Sequence, residues 1–174
     1  GTVQVAADNN LGAAAGALTF NGATLATTAS FTSPRGITLN AGGGTFSLAS
    51  GNALTLSGVL RDGNAAGALT LAGAGTLTLA GANIYTGTTS ILAGNTLQVG
   101  SGATTGTLGS GAVVNNGALV FNRSNNFGVA SAISGTGSVT QNGIGVVTLS
   151  GANSYSGGTT IRGGTLQASS DSNL

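Results

Sequence analysis

The feature that most constrains this chain is a long-range internal repeat. Gly75–Val99 reads GTLTLAGANIYTGTTSILAGNTLQV, and seventy residues later Gly145–Ala168 reads GVVTLSGANSYSGGTTIRGGTLQA. The copies agree through L-[AS]-G-A-N-x-Y-[ST]-G, then T-x-I, then G-x-T-L-Q, with one extra residue, Asn95, in the first. A shorter echo joins Gly1–Leu11 (GTVQVAADNNL) to Gly164–Leu174 (GTLQASSDSNL), as if the segment were cut from a longer array at one phase of its repeat. Ordering ~25 residues costs about 1–2 kcal/mol each in backbone entropy. The roughly half-dozen large aliphatics in one unit return about 1.5–3 kcal/mol apiece when buried. One unit therefore cannot fold alone, and stacked units must share a core.

Between the copies, short period-two runs recur at Ala17–Phe20, Ile37–Asn40, Thr45–Leu48, Ala53–Leu56 and Ala68–Leu71. Others follow at Thr76–Leu79, Ala112–Asn115, Ala118–Phe121, Ser138–Thr140 and Val146–Leu149. Each is bounded by Gly, Asn or Ser, which is strand chemistry with turn punctuation. Helix content is expected to be near zero, because no helical stripe occurs and 33 glycines would weaken any helix. In Thr76–Leu79, alternation sends Leu77 and Leu79 inward and Thr76 and Thr78 outward. Aromatics are 4% of the chain, so slim aliphatics must fill the interior. That favours a narrow parallel coil over a propeller or sandwich. The expectation is an all-β solenoid, a single β-helix segment over residues 1–174. Roughly seven or eight coils of about 20–25 residues, at about 4.8 Å per rung, make a rod ~35–40 Å long.

Composition removes most other classes. His, Cys, Lys, Glu, Met and Trp are absent, and the charges are Asp8, Asp62, Asp171, Arg35, Arg61, Arg123 and Arg162. Leu, Ile, Val and Phe number 41, above the approximate 20% floor for disorder-prone chains. A net charge of +1 without a basic cluster argues against nucleic-acid binding. Apolar runs are far shorter than the ~18 residues of a spanning helix. Without Cys there is no disulfide framework or thiolate metal site, and no cofactor is expected.

The stretches G-x-G-T-L-T-L-x-G-A-N-x-Y-[ST]-G-x-T-x-I and G-T-L-Q resemble the autotransporter-associated β-strand repeat of type V secretion passengers. Gly73–Val99 and Gly143–Ala168 fit closely, and Gly135–Val139 with Gln141–Gly143 resembles the usual approach to that repeat. The resemblance implies a right-handed parallel β-helix, exported through the periplasm and an outer-membrane barrel formed by the precursor's C-terminal end. It also implies that such repeats assist passenger folding during export and hold a functional tip away from the cell. Membrane attachment is expected only through that barrel, which lies outside this segment.

The remaining motifs favour plain structural readings. Gly100–Gly106 (GSGATTG) lacks the Lys and following helix of a phosphate loop and reads as a turn. Three scattered Asp do not form the acid pair of a polysaccharide-acting enzyme, so an enzyme is not expected. Asp8 and Asp171 occupy equivalent positions and suit a turn role, while Asp62 is expected to pair with its neighbour Arg61 or be solvated. Asn122-Arg123-Ser124 is a formal glycosylation sequon that reads as a chance loop. Tyr85 and Tyr155 share a repeat position and suit packing at a corner. Thr76, Thr78, Thr88, Thr89, Thr159 and Thr160 are candidates for an outward, ice-binding ladder, but look intermittent. The expected function is a structural passenger stalk of a bacterial surface adhesin, on the cell surface or secreted. Weak multivalent contact with host cells, matrix or a second copy would come from Thr, Ser and Asn. No binding residue is singled out. The alternative is a secreted effector or receptor ligand whose activity lies in this segment.

Overall fold

A computed structural model describes residues 1–169, so Asp171 and the end of the Gly164–Leu174 echo lie outside the described residues. The chain winds about eight times around a triangular section. The first coil holds β1 (Thr2–Val5), a 3-10 turn at Asp8–Leu11 and β2 (Leu18–Phe20). The second holds β3 (Ala23–Thr27), β4 (Phe31–Ser33) and β5 (Ile37–Leu39). The third holds β6 (Gly44–Leu48), β7 (Ala53–Leu56) and β8 (Leu60–Asp62). The fourth and fifth carry two strands each, β9 (Leu69–Gly73) with β10 (Thr76–Leu79), then β11 (Thr89–Ile91) with β12 (Thr96–Val99). The sixth returns to three, β13 (Val113–Asn115), β14 (Ala118–Phe121) and β15 (Phe127–Val129). The seventh has β16 (Ile133–Ser134), β17 (Ser138–Gln141) and β18 (Val146–Leu149), and the eighth β19 (Thr159–Ile161) and β20 (Thr165–Ala168).

Every strand pairs in parallel with its counterpart one coil away. The first face runs β1-β3-β6-β9-β11-β13-β16, and the second runs β4-β7-β10-β12-β14-β17-β19. The third is split into β2-β5-β8 and β15-β18-β20, with coils four and five crossing between them without a strand. All ten runs read from the alternation coincide with strands. The fold class expected from the sequence, a parallel β-solenoid, is the one observed.

The core is a set of side-chain columns. On the second face Phe31, Leu54, Leu77, Leu97, Leu119 and Val139 lie in register, with Leu56, Leu79, Val99 and Phe121 beside them. All but Phe31 are fully buried. Like sits on like because the parallel register repeats each coil directly above the last. Buried polar side chains also stand in the columns, Gln141 next to Phe121 on the second face and Asn115 next to Ile91 on the first. Gln141 donates Nε2 to the carbonyls of Gly143 and Gly145, and Asn115 donates to Ser138 O.

Corners are where the chain has no spare room. A Cβ on Gly87 would collide with the Gly67 peptide one coil below, and one on Gly111 would collide with Gly87. Glycine is required there by close approach of backbones rather than by a positive φ.

The two repeat copies do not lie above one another. In the first, TLTL (β10) is on the second face and T-x-I (β11) on the first; in the second, VVTL (β18) is on the third face and T-x-I (β19) on the second. Seventy residues is about three and a third coils, so the motif advances by one side. The T-[LV]-Q strand accordingly appears once on each face, as β1, β12 and β20.

Gly87→Ala is predicted to destabilise the fold by about 1–3 kcal/mol through overpacking. Gly36→Ala, exposed and with open space at its Cβ, is predicted to stay within about 0.5 kcal/mol of wild type. Denaturant unfolding of the two variants measures the difference.

Candidate interaction surface

The outward positions of the first face form one row of hydroxyls along seven coils. Thr2, Thr24, Thr45, Thr70, Ser90 and Ser134 stand in register, interrupted only by Val114. On the second face Thr32, Thr55, Thr78, Gln98, Val120, Thr140 and Thr160 align in the same way. Rungs about 4.8 Å apart make two uncharged, hydrogen-bonding stripes. These stripes differ from the set taken from the sequence. Thr89 is 1% exposed and points inward, where it shares a 2.8 Å hydrogen bond with the Tyr85 hydroxyl; Thr78 keeps its expected outward place in register with Thr55 but is only 7% exposed. A paired T-x-T surface does not run along the second face, because Ala53, Gln98, Ala118 and Val120 break it.

The recurring motif residues serve coil closure. Asn83 is buried; its Oδ1 accepts from Leu60 N–H at 2.8 Å and its Nδ2 donates to Thr107 O at 2.8 Å. It thus ties the coils on either side of it where a strand is missing. Asn153, its counterpart, accepts from Ile133 N–H at 2.9 Å. Tyr85 is fully buried, and burial pushes its phenol up despite the Thr89 contact. Tyr155 makes the same i+4 contact with Thr159 at 2.6 Å. The tyrosines are therefore packed at a corner, as their repetition suggests.

Charged residues secure the irregular segments. Arg35 is 2% exposed and donates to Asp8 Oδ1 at 2.9 Å, Asp8 Oδ2 at 3.1 Å, and the carbonyls of Asp8, Gly12, Ala13 and Gly16. This holds the 6–17 excursion against β4. The Arg35 hydrogen bond holds the Asp8 carboxyl below its ordinary value. Asp62 does not turn to Arg61. It accepts from Thr86 N–H and hydroxyl, at 3.0 and 2.6 Å, and from Gly67 N–H at 2.9 Å. Burial opposes its ionisation, but these donors outweigh it and lower its pKa. Arg123, inside the sequon, is buried. It donates to Gly106 O, Thr104 O and Asn125 Oδ1, and lies 4.5 Å from the Phe127 ring centroid. Gly100–Gly106 is thus a loop closed on itself and fastened by Arg123, consistent with a turn.

Where coils four and five cross the third face, a groove of about 460 Å³ opens between the two half-sheets. Its walls are Asn83 and Ile84 on one side and Phe127–Ser131 on the other, over a floor of Thr107–Ser110. Ile84 is 66% exposed.

The family described as Passenger-associated-transport-repeat matches residues 66–99 and 139–168. Over 142 residues, or 82% of its length, the chain is 44% identical to the adhesin BmaC autotransporter of Brucella suis biovar 1 (strain 1330). The chain carries the repeats of autotransporter passengers. It spans about 4% of the length of that adhesin, and no solved structure matches it. The two matched passenger repeats contain Asn83, Tyr85, Asn153 and Tyr155, the residues that close coils. The Arg123 loop and most of the groove fall between them.

Asp8 and Asp62 both have folded pKa values below the ordinary 3.8. Their contribution to stability is therefore present above that value and lost as pH falls through the lower folded value. The denaturation midpoint is predicted to be flat from about pH 8 to 5 and to fall below about pH 4. Asp8→Asn with Asp62→Asn should flatten that fall, read by denaturant unfolding across pH.

Proposed function

We propose that this chain is a rigid, non-catalytic passenger segment of a bacterial surface adhesin, and that its outward hydroxyl stripes give weak, multivalent adhesion. The observation that carries the structural part is the one-side advance of the repeat. Residues that recur in sequence never align along one face, so their recurrence serves coil closure and stacking rather than one extended site. The first-face hydroxyl stripe does align, and beyond Thr2 it is built from positions the motif does not fix.

In this reading the segment is exposed at the cell surface or secreted, after export across the periplasm and outer membrane. The stacked repeats assist passenger folding during that export, and the membrane is contacted only through a barrel elsewhere in the precursor. Candidate partners are host-cell or matrix components presenting many weak hydrogen-bonding groups, or a second copy; nucleic acid is not among them. Each contact is weak and affinity accumulates along the rungs. A second reading, a secreted ligand acting through this segment, is favoured by the groove on the third face.

Beads coated with this chain are predicted to adhere saturably to host cells, immobilised matrix proteins or equally coated beads. Replacing Thr24, Thr45 and Thr70 by Val keeps the strand shape and removes three adjacent hydroxyls, and adhesion should fall several-fold. Unchanged adhesion by that variant would remove the first-face stripe from the account. Absence of adhesion by the wild-type chain would leave a spacer.

A further inference from the structure

The groove ends on an unpaired strand edge. Strand β15 is the outermost strand of its half-sheet and pairs only with β18, with Val129 opposite Leu149 and Val129 O accepting from Ser150 N–H at 2.9 Å. Peptide groups alternate in direction along a strand. The N–H and C=O of Gly128 and the N–H of Ala130 therefore point away from β18, toward coil five. Among the described residues, no backbone group of Thr107–Ser110 bonds to them. Gly128 and Ala130 are both exposed. The cause is local: coil five spends Gly100–Gly106 on the loop fastened by Arg123, and its next residues bond back to coil four, Thr107 N–H to Gly81 O and Ser110 N–H to Tyr85 O.

We propose that this groove is a docking slot for an extended, uncharged peptide segment of a partner protein, which adds to the edge of β15 as a short parallel or antiparallel strand. Main-chain recognition follows from the free donors and acceptor at Gly128 and Ala130, the arrangement through which sheet edges capture extended chains. The edge offers three residues, about 10 Å of strand, and the volume is at the low end of the range for specific sites. The side chains of the occupant follow from the lining. The exposed Ile84 and the half-buried Phe127 supply apolar contact, Thr107, Ser110 and Ser131 supply neutral polar contact, and no charged side chain lines the groove. An anionic glycan or phosphate finds no cation, since Arg123 is occupied by Thr104, Gly106 and Asn125. The slot goes beyond the stalk reading, which needs no cleft and survives its failure.

The probe is the hexapeptide Gly-Val-Val-Thr-Leu-Ser, the sequence of residues 145–150 that pairs with β15 on its other edge. It is titrated into the isotopically labelled chain and followed by amide chemical shift and hydrogen exchange. The expected result is perturbation and slowed exchange at the Gly128 and Ala130 amides. Affinity should drop at least tenfold for the same peptide with alternate amides N-methylated. It should drop at least tenfold for Ile84→Asp, whose exposed site leaves the fold intact as judged by the unperturbed spectrum elsewhere. No perturbation at millimolar peptide would overturn the proposal, as would shifts confined to the edges of β1 or β20. Equal binding by the methylated peptide or by Ile84→Asp would also overturn it.

Discussion

The hydrogen bond from one coil to the next is the constraint on which everything else rests. On the first face the partner of a residue lies 20 to 25 positions further on, and this distance varies from coil to coil. Each circuit must nevertheless return its strands to the same register. The spare length is taken up at corners, by glycines whose neighbours leave no room for a Cβ, and by excursions that leave the ladder. Because the register is preserved, leucine stacks on leucine and hydroxyl on hydroxyl. Core columns and surface stripes are two consequences of one rule.

Excursions follow a common pattern. The 6–17 segment and the 100–106 loop each project where a strand could have continued, and each is fastened by a buried arginine one coil further along. Arg35 has a carboxylate among its acceptors, whereas Arg123 relies on carbonyls, an amide oxygen and an aromatic ring. Removing a guanidinium from such a cage leaves several carbonyls without a donor, a loss of about 1–3 kcal/mol for each one that water does not reach. The groove on the third face exists because the second excursion draws coil five away from β15. In a chain with so few charges, most of them are used to position backbone.

Much of the architecture was legible in the sequence because it is local. Leu77 and Leu79 alternate with Thr76 and Thr78, and the alternation alone gives strand, face and core. The Tyr of the repeated G-A-N-x-Y could be recognised as structural from its recurrence, whereas the coil-tying role of Asn83 depends on Leu60 and Thr107, 23 and 24 residues away. The hydroxyl stripe was not legible, since Thr2, Thr24, Thr45 and Thr70 are separated by unequal intervals and no single period aligns them. Thr89 faces inward with Ile91, two residues further along the same strand, so the alternation that places Leu77 and Leu79 also places Thr89 and contradicts its outward reading. The Asp62–Thr86 and Arg35–Asp8 contacts span 24 and 27 residues, and proximity in sequence pointed Asp62 to Arg61 instead.

Coil register is tested most directly by a disulfide across the first face. Thr45 and Thr70 stand opposite one another on β6 and β9, about 4.8 Å apart for parallel neighbours, within the span a disulfide bridges. Thr45→Cys with Thr70→Cys is predicted to crosslink on mild oxidation and to raise the unfolding midpoint. Thr45→Cys with Ala72→Cys, displaced by two residues along the strand to about 8 Å, is predicted to stay reduced. Ready crosslinking of the displaced pair, or a reduced in-register pair in a chain that keeps its β-rich spectrum, would contradict the stacked register.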